Sequence, residues 1–269
     1  MTTAYPQQAA GYAVPNGAPQ AVRRLQGISG LIHGFQKAGK SSFGDSGLRP
    51  TLLIDSEQAG VWTPSRKVTW DVTRQTVPVW DGGPGNPGSW DTAVATVKSI
   101  DTLWQLARVL NSGQHQFNSI SVDSVPTIIL QVMEAMGGDR KLTQDQWGVL
   151  LRQTLRILWD FKGLLTHPTK QVWAVTFIAG THLKDGKYRP YFSGQAANLA
   201  PYVPDYEGWV WADPATGTHS MWIGPSKEYE TGNRLWHRIP DSLQLGYPGL
   251  VQGWTVETMA QQVIASQQQ

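Results

Sequence analysis

Gly34, Phe35, Gln36, Lys37, Ala38, Gly39, Lys40 and Ser41 run in the order G-x-x-x-x-G-K-S. Such a loop turns successive backbone N–H groups inward and makes a nest for an anion. Glycine at 34 and 39 permits backbone angles and a close approach that a Cβ would obstruct. Lys40 would reach the β- and γ-phosphates of a nucleotide as a point charge, and the Ser41 hydroxyl would ligate Mg²⁺. The residues between, and Ser42 beyond, complete the cradle. The helical segment after the loop would add its positive N-terminal end. The bland alternative is a glycine-rich turn with an incidental lysine, and the flanking elements decide between the two.

A magnesium shell needs an acidic partner on another strand. Ile120-Ser121-Val122-Asp123-Ser124 is an apolar run ending in a carboxylate, so Asp123 is expected at the metal with Ser41. Hydrolysis also needs a base to align water against the γ-phosphate. Leu52-Leu53-Ile54-Asp55-Ser56-Glu57 offers one just past a second apolar run. In a parallel sheet the strand ends face one crevice, so Glu57 can point at the phosphate. Asp55 shares its facing but lies deeper.

These groups require strands that end side by side. Gly27 to His33 and Thr51 to Ile54 read as buried strands, Asn118 to Val122 as a third and Gln171 to Ile178 as a fourth. His33 is then a packed strand residue. Residues 59–90 read as irregular, with Gly82 to Gly88 a loop. Trp62, Trp70, Trp80 and Trp90 are either base platforms or, more simply, a small subcore. Ile100, Leu103, Trp104, Ala107 and Leu110 make one helical stripe, with Ser99 as N-cap and Gly113 as stop. Trp147, Leu151, Leu155, Leu158, Phe161 and Leu165 mark a long amphipathic helix. Shorter strands are expected around Gly208 to Ala212, Ser220 to Ile223 and Leu235 to Ile239. Strands separated by helices imply an α/β fold with a mostly parallel central sheet flanked by helices.

The 269 residues fit one such domain, with 22 basic and 20 acidic side chains. A net charge of +2 predicts no polyanion-coating protein, though a local basic groove is compatible with it. Cysteine is absent, which excludes disulfides, thiolate metal sites and cysteine nucleophiles. No apolar run is long enough to cross a membrane. Residues 1–22 carry no charge and no apolar core of a secretory leader, and read as a flexible arm. That arm is either inert or docks Tyr5 or Tyr12 on a neighbouring subunit. Residues 23–250 form the core, and 251–269 a short helix through Val256, Met259 and Val263 with a frayed tail.

GFQKAGKS, IDSEQA and ISVDS, in this order and spacing, resemble the RecA-like recombinase ATPases. The resemblance spans roughly residues 24–240 and rests on those three stretches. It implies a RecA-like P-loop NTPase core. Gly34, Gly39, Lys40 and Ser41 would hold phosphate, with Asp123 at magnesium and Glu57 as base. The chain looks closest to the compact phage-type branch, stand-alone core ATPases of single-strand annealing and recombination. Phe177 to His182, Lys184 to Pro190, and Gly232-Asn233-Arg234 are similar to that branch. By this resemblance His182 lies at the γ-phosphate sensor and Arg234 gives a finger to the adjacent subunit. Where bacterial recombinases carry Gln at the sensor, Thr181 and His182 stand here. Arg234 is also alone where relatives have Lys-x-Arg.

The resemblance further implies a homo-oligomer, ring or filament, acting on single-stranded DNA in the cytoplasm, the host's if the protein is phage-encoded. A single-strand binding protein would be a further partner. Two loops carry cations toward the crevice: Glu134 to Gln146, with Arg140 and Lys141, and the stretch with Lys184, Lys187, Tyr188, Arg189, Tyr191 and Phe192. Cations track phosphates and rings stack on bases, which suits single strands. Three rivals stand beside this reading: a helicase or helicase loader, a DNA-binding scaffold using ATP as interface glue, and a small-molecule kinase. The Asp-x-Glu element after the second strand argues against the kinase.

Overall fold

The computed structural model describes residues 25–58, 60–82, 89–137, 141–235, 238–246 and 253–268. The expected arm, Arg140 and residues 83–88 of the expected glycine-rich loop lie outside them.

Ten strands form one sheet. Seven are parallel, in the order β3 (Lys67–Trp70), β4 (Thr92–Thr96), β2 (Thr51–Asp55), β5 (Ser119–Asp123), β6 (Ala174–Ala179), β1 (Ile28–Gly34) and β9 (Tyr206–Ala212). Beyond β9 the sheet turns antiparallel through β10 (His219–Trp222) and β12 (Ser242–Gln244), and β11 (Gly232–Asn233) pairs with the first residues of β9. The four strands expected to carry the site are present, and they are neighbours: β2, β5, β6, β1.

Every residue of β1, β2, β5 and β6 is buried, which is why these strands read as unbroken apolar runs. Side chains alternate between two cores. Leu31, Val175 and Phe177 face one layer, formed by α2 (Ile100–Asn111), α3 (Val125–Gly137) and α4 (Gln144–Gly163). Ile28, Ile32, Ala174 and Ile178 face the other, with Phe43 of α1 (Lys40–Gly44) and Val256, Met259 and Val263 of α6 (Val256–Ser266). Ser99 caps α2 by accepting from Thr102 N at 3.2 Å, and Gly113 follows it at φ 72°, as its sequence predicts. Thr143 and Gln146 close a reciprocal capping box on α4.

Several expectations are corrected. Residues 59–90 contain an edge strand, β3, and Trp70 and Trp90 close a small core on Phe117 there. Trp62 is excluded from that core and is 85% exposed. Glu134 to Gln146 is not all loop: α3 continues to Gly137 and α4 begins at Gln144, which leaves Lys141 outside any helix. No described residue of Leu235 to Ile239 is in a strand; the pairing there belongs to β11 and β12. The stretch after β6 is a hairpin of β7 (Thr181–Lys184) and β8 (Lys187–Pro190). Its turn residues, Asp185 and Gly186, have φ of 53° and 72°, the left-handed pair that a two-residue hairpin favours.

Candidate functional site

The chain leaves β1 at Gly34 and reaches α1 through the glycine-rich loop. A Cβ at Gly34 would sit 2.2 Å from the Val210 carbonyl oxygen of the adjacent strand, so only glycine allows that approach. Gly39 caps α1 in the left-handed region at φ 91°. α1 is five residues long, too short for its dipole to add much. The positive character comes instead from loop amides and Lys40. Lys40 Nζ donates to the carbonyls of Gly34 (3.0 Å) and Phe35 (2.7 Å). Burial pushes its ammonium below the usual lysine range, while Asp123 and Glu57 act against that fall. The loop is pinned behind by His219 Nδ1, 2.9 Å from the Ala38 carbonyl.

Asp123 ends β5 and is buried. Burial pushes its carboxyl up to about 6, and the Ser41 hydroxyl donates to it and opposes that rise. Its Oδ2 is buried without a hydrogen-bond partner. A buried carboxylate oxygen beside a serine hydroxyl is a hard-oxygen donor pair, the chemistry Mg²⁺ takes. Ser41 and Asp123 therefore fit the metal that the sequence calls for. No cluster of three or more His, Cys, Asp or Glu able to hold a metal occurs among the described residues.

Glu57 lies just past β2. Its Oε1 accepts from the Thr127 hydroxyl at 2.7 Å and from the Ser124 hydroxyl. Ser56 fixes its position: its N–H donates to Asp123 O at 2.7 Å, and its hydroxyl accepts from Ser124 N at 2.9 Å. The ends of β2 and β5 are thus tied to each other. Asp55 shapes the following turn, accepting from the amides of Glu57 (3.0 Å) and Gly60 (2.9 Å). It faces inward and is buried, the deeper placement expected of it.

Loop, Lys40, Ser41, Ser42, Glu57 and Asp123 line one cleft of about 1150 Å³. Small-molecule sites run to ~1,000 Å³. Phe35, Gln36 and Lys37 line it too, whereas Ala38 is turned inward and buried. Trp62, Thr181 and His219 also line it; the sequence offers Trp62 as base platform or core and Thr181 beside His182 at the sensor, and gives no signal for His219.

The remaining expected residues divide. His182 does not line the cleft; Thr181, one residue earlier, does, because successive strand residues face opposite ways. Thr181 Oγ1 donates to Arg189 O at 3.0 Å, and the His182 ring meets Tyr191 edge-on. Lys141 and Lys184 are exposed and Lys187 is half-buried. Arg189 is not free for a ligand, since it faces Glu230 at 3.4 Å and Asp185 at 3.8 Å. Phe192 is buried in the core and cannot stack on a base. Tyr188 stacks on Tyr229 and packs on Trp209, with Phe35 edge-on to both Tyr188 and Trp209. His33 is fully buried, as a packed strand residue should be, with Nε2 2.7 Å from Glu230 O. Burial lowers it to about 4.

Arg234 stands elsewhere. Its backbone N–H donates to Asp205 O, and Asp205 in turn donates to Ser29 O at the start of β1. The glycine-cornered loop leaves the other end of that strand, five residues on, roughly 16 Å away at ~3.3 Å per residue. Arg234 therefore cannot reach the cleft of its own chain.

No protein-family model matches this chain, and no curated protein matches it in sequence.

Proposed function

We propose that this chain is a Mg²⁺-dependent ATPase with a RecA-like P-loop NTPase core, assembling as a homo-oligomer and acting on single-stranded DNA in phage-type annealing or recombination. One observation carries the nucleotide reading. A glycine-cornered loop with Lys40, a Ser41–Asp123 donor pair and a fixed Glu57 carboxylate converge from β1, β5 and β2 on one cleft. Strand order supports the core assignment, since β6 separates the loop strand from the Asp123 strand and β2 lies beyond.

Each residue has a separate task. The loop amides receive phosphate oxygens, and Lys40 exchanges its two loop carbonyls for the β- and γ-phosphates. Ser41 and Asp123 would hold Mg²⁺, which supplies charge neutralisation at the phosphate oxygens. Glu57, held on Oε1 by two hydroxyls, orients the attacking water and takes its proton. Thr181 replaces His182 as the hydroxyl at the γ-phosphate end. Lys141, Lys184 and Lys187 are the cations available to a single strand. DNA action, annealing and a single-strand binding partner rest on the resemblance alone.

Calorimetry with Mg²⁺ and ATP should register binding in the wild type and none in Lys40→Ala. No heat at millimolar nucleotide would overturn the reading. Phosphate release with and without single-stranded DNA separates turnover from a scaffold that holds ATP as glue. ATP-driven opening of a forked duplex would favour a helicase.

A further inference from the structure

The glycine-cornered loop carries two left-handed residues with one residue between them. Lys37 has φ 61° and Gly39 φ 91°, with Ala38 in the middle. A lysine seldom occupies that region, and the conformation persists only where the surroundings hold it. The holding contacts come from β9 and β10, on the far side of β1. Gly34 is pressed so close to Val210 of β9 that no Cβ fits. The Phe35 ring stands edge-on to Trp209 of the same strand. Ala38 is buried in the second core, and its carbonyl meets His219 Nδ1 of β10 at 2.9 Å. Gln36 and Lys37, between these contacts, are exposed.

The His219 contact decides which way one peptide faces. A carbonyl only accepts, so Nδ1 carries the hydrogen of that bond. The bond draws the Ala38 carbonyl toward β10. In a trans peptide the next N–H points the opposite way. The strands run in the order β10, β9, β1, β6, β5, β2. The Gly39 N–H is therefore turned away from β10, to the side where Asp123 of β5 and Glu57 beyond β2 stand. That is the facing a nest amide needs to receive an anion there. A rotated peptide would present a carbonyl oxygen to the phosphates instead. Glycine at 39 resists that rotation poorly, because it takes φ of either sign. His219 itself is firmly seated. It opens β10 opposite Ala212 of β9, and its own carbonyl accepts from Leu245 N at 2.9 Å.

We infer that His219 is a positioning residue for phosphate binding: it latches the Ala38–Gly39 peptide with the Gly39 N–H facing the phosphates before any ligand arrives. This rests on the nucleotide reading above. It adds to that site a side chain that the loop motif does not contain, 181 residues along the chain from Ala38. The latched loop receives its ligand without rearranging. Without the latch only a fraction of molecules is competent, which weakens binding and leaves the bound state as it was.

Three variants test it. His219→Leu and His219→Ala remove the donor, whereas His219→Asn keeps an N–H at the position of Nδ1. With Mg²⁺ and ATP the first two should bind about tenfold more weakly, the effect of one hydrogen bond on the loop equilibrium. KM should rise by the same factor while kcat stays within about twofold of wild type. His219→Asn should recover most of the loss. In the ligand-free protein the ¹⁵N resonance of Gly39 reports the hydrogen bond on the preceding carbonyl. It should move in His219→Leu and His219→Ala and stay near its wild-type position in His219→Asn. Wild-type affinity in His219→Leu, a loss shared equally by His219→Asn, or a Gly39 resonance indifferent to position 219 overturns the latch and leaves the cleft standing. Absence of nucleotide binding by wild type overturns the cleft first and the latch's task with it.

Discussion

Asp123→Asn should stabilise the metal-free protein above pH 6 and leave it almost unchanged at pH 4. Burial, reinforced by the Glu57 and Asp55 carboxylates, pushes the Asp123 carboxyl up from 3.8 to about 6, against the Ser41 hydroxyl and Lys40. The unfolded chain loses this proton near 3.8 and the folded chain only near 6. Between those values the folded state binds more protons, so stability falls as pH rises from about 4 to about 6 and is level above that. The gap is about two decades of proton affinity at about 1.4 kcal/mol each, so the ionised carboxylate costs the fold about 3 kcal/mol at pH 8. At pH 4 the cost is below ~1 kcal/mol, because the unfolded chain has only begun to release its proton. Asparagine keeps the shape without the charge. At roughly 2 °C per kcal/mol for a chain of this length, its melting temperature should exceed wild type by roughly 5 °C at pH 8 and by about 1 °C at pH 4. Circular dichroism melts with EDTA at both pH values measure this. On the proposed function wild type should gain Mg²⁺-dependent stabilisation from ATP, and the same variant should lose it. An equal difference at both pH values, or a variant less stable than wild type at pH 8, refutes the premise that burial of this carboxylate is uncompensated.

Glu57→Gln should keep nucleotide affinity and lower turnover by ~10²-fold or more, since it keeps a hydrogen-bonding side chain but not the base; retained phosphate release removes the assignment. Gly34→Ala would drive a Cβ to 2.2 Å from the Val210 carbonyl, a backbone atom that cannot swing aside. It should cost about 1–3 kcal/mol in urea unfolding at unchanged m-value. Trp62→Ala should leave the melting temperature unmoved, because the ring buries little. If a nucleobase stacks on that ring, binding should weaken by on the order of 1–3 kcal/mol, and an unchanged Kd in titration would remove Trp62 from the site.

Strands β1, β2, β5 and β6 were legible because burial on both faces makes them largely apolar runs, and α2, α4 and α6 because each carries an apolar stripe, joined in α2 by the Ser99 cap and the Gly113 stop. β4 hid in Thr92 to Thr96, a run of small residues emerging from a Trp-, Gly- and Pro-rich stretch. α3 hid because its first turns, Val125 to Val132, carry no charge and follow β5 with no break in hydrophobicity. The hairpin was signalled by Asp185-Gly186 but read as a basic loop. Within the site, Lys40, Ser41, Glu57 and Asp123 could be placed because each stands at a strand end or on the loop itself. Thr181 and His182 could not be told apart, since the answer turns on the facing of a single residue. Trp62 could not be told from its core-filling neighbours Trp70 and Trp90, because the turn that follows β2 is held by Asp55 accepting from Gly60 N, a bond no local pattern reports. The end of the sheet holding Arg234 depends on β11 pairing with the first half of β9, a contact between segments about 25 residues apart.

On the proposed function the electrostatics of the cleft would make nucleotide and metal a single ligand. Lys40 favours the ionised form of Asp123, and Glu57 and Asp55 press on the same carboxyl from the opposite sign. A bare triphosphate entering this space would set its oxygens against Asp123 and Glu57 at low local dielectric, where like charges repel strongly. One ammonium and a nest of amides have to offset that. A divalent cation carried in with the phosphates reverses the sign of the Asp123 contact and gives the partnerless Oδ2 a counter-charge. Below about pH 6 the proton that burial holds on Asp123 would have to leave as the metal binds. On the proposed function the carboxylate that weakens the fold would also select the metal-bound form of the nucleotide, and its cost in stability and its role in binding would have one physical origin.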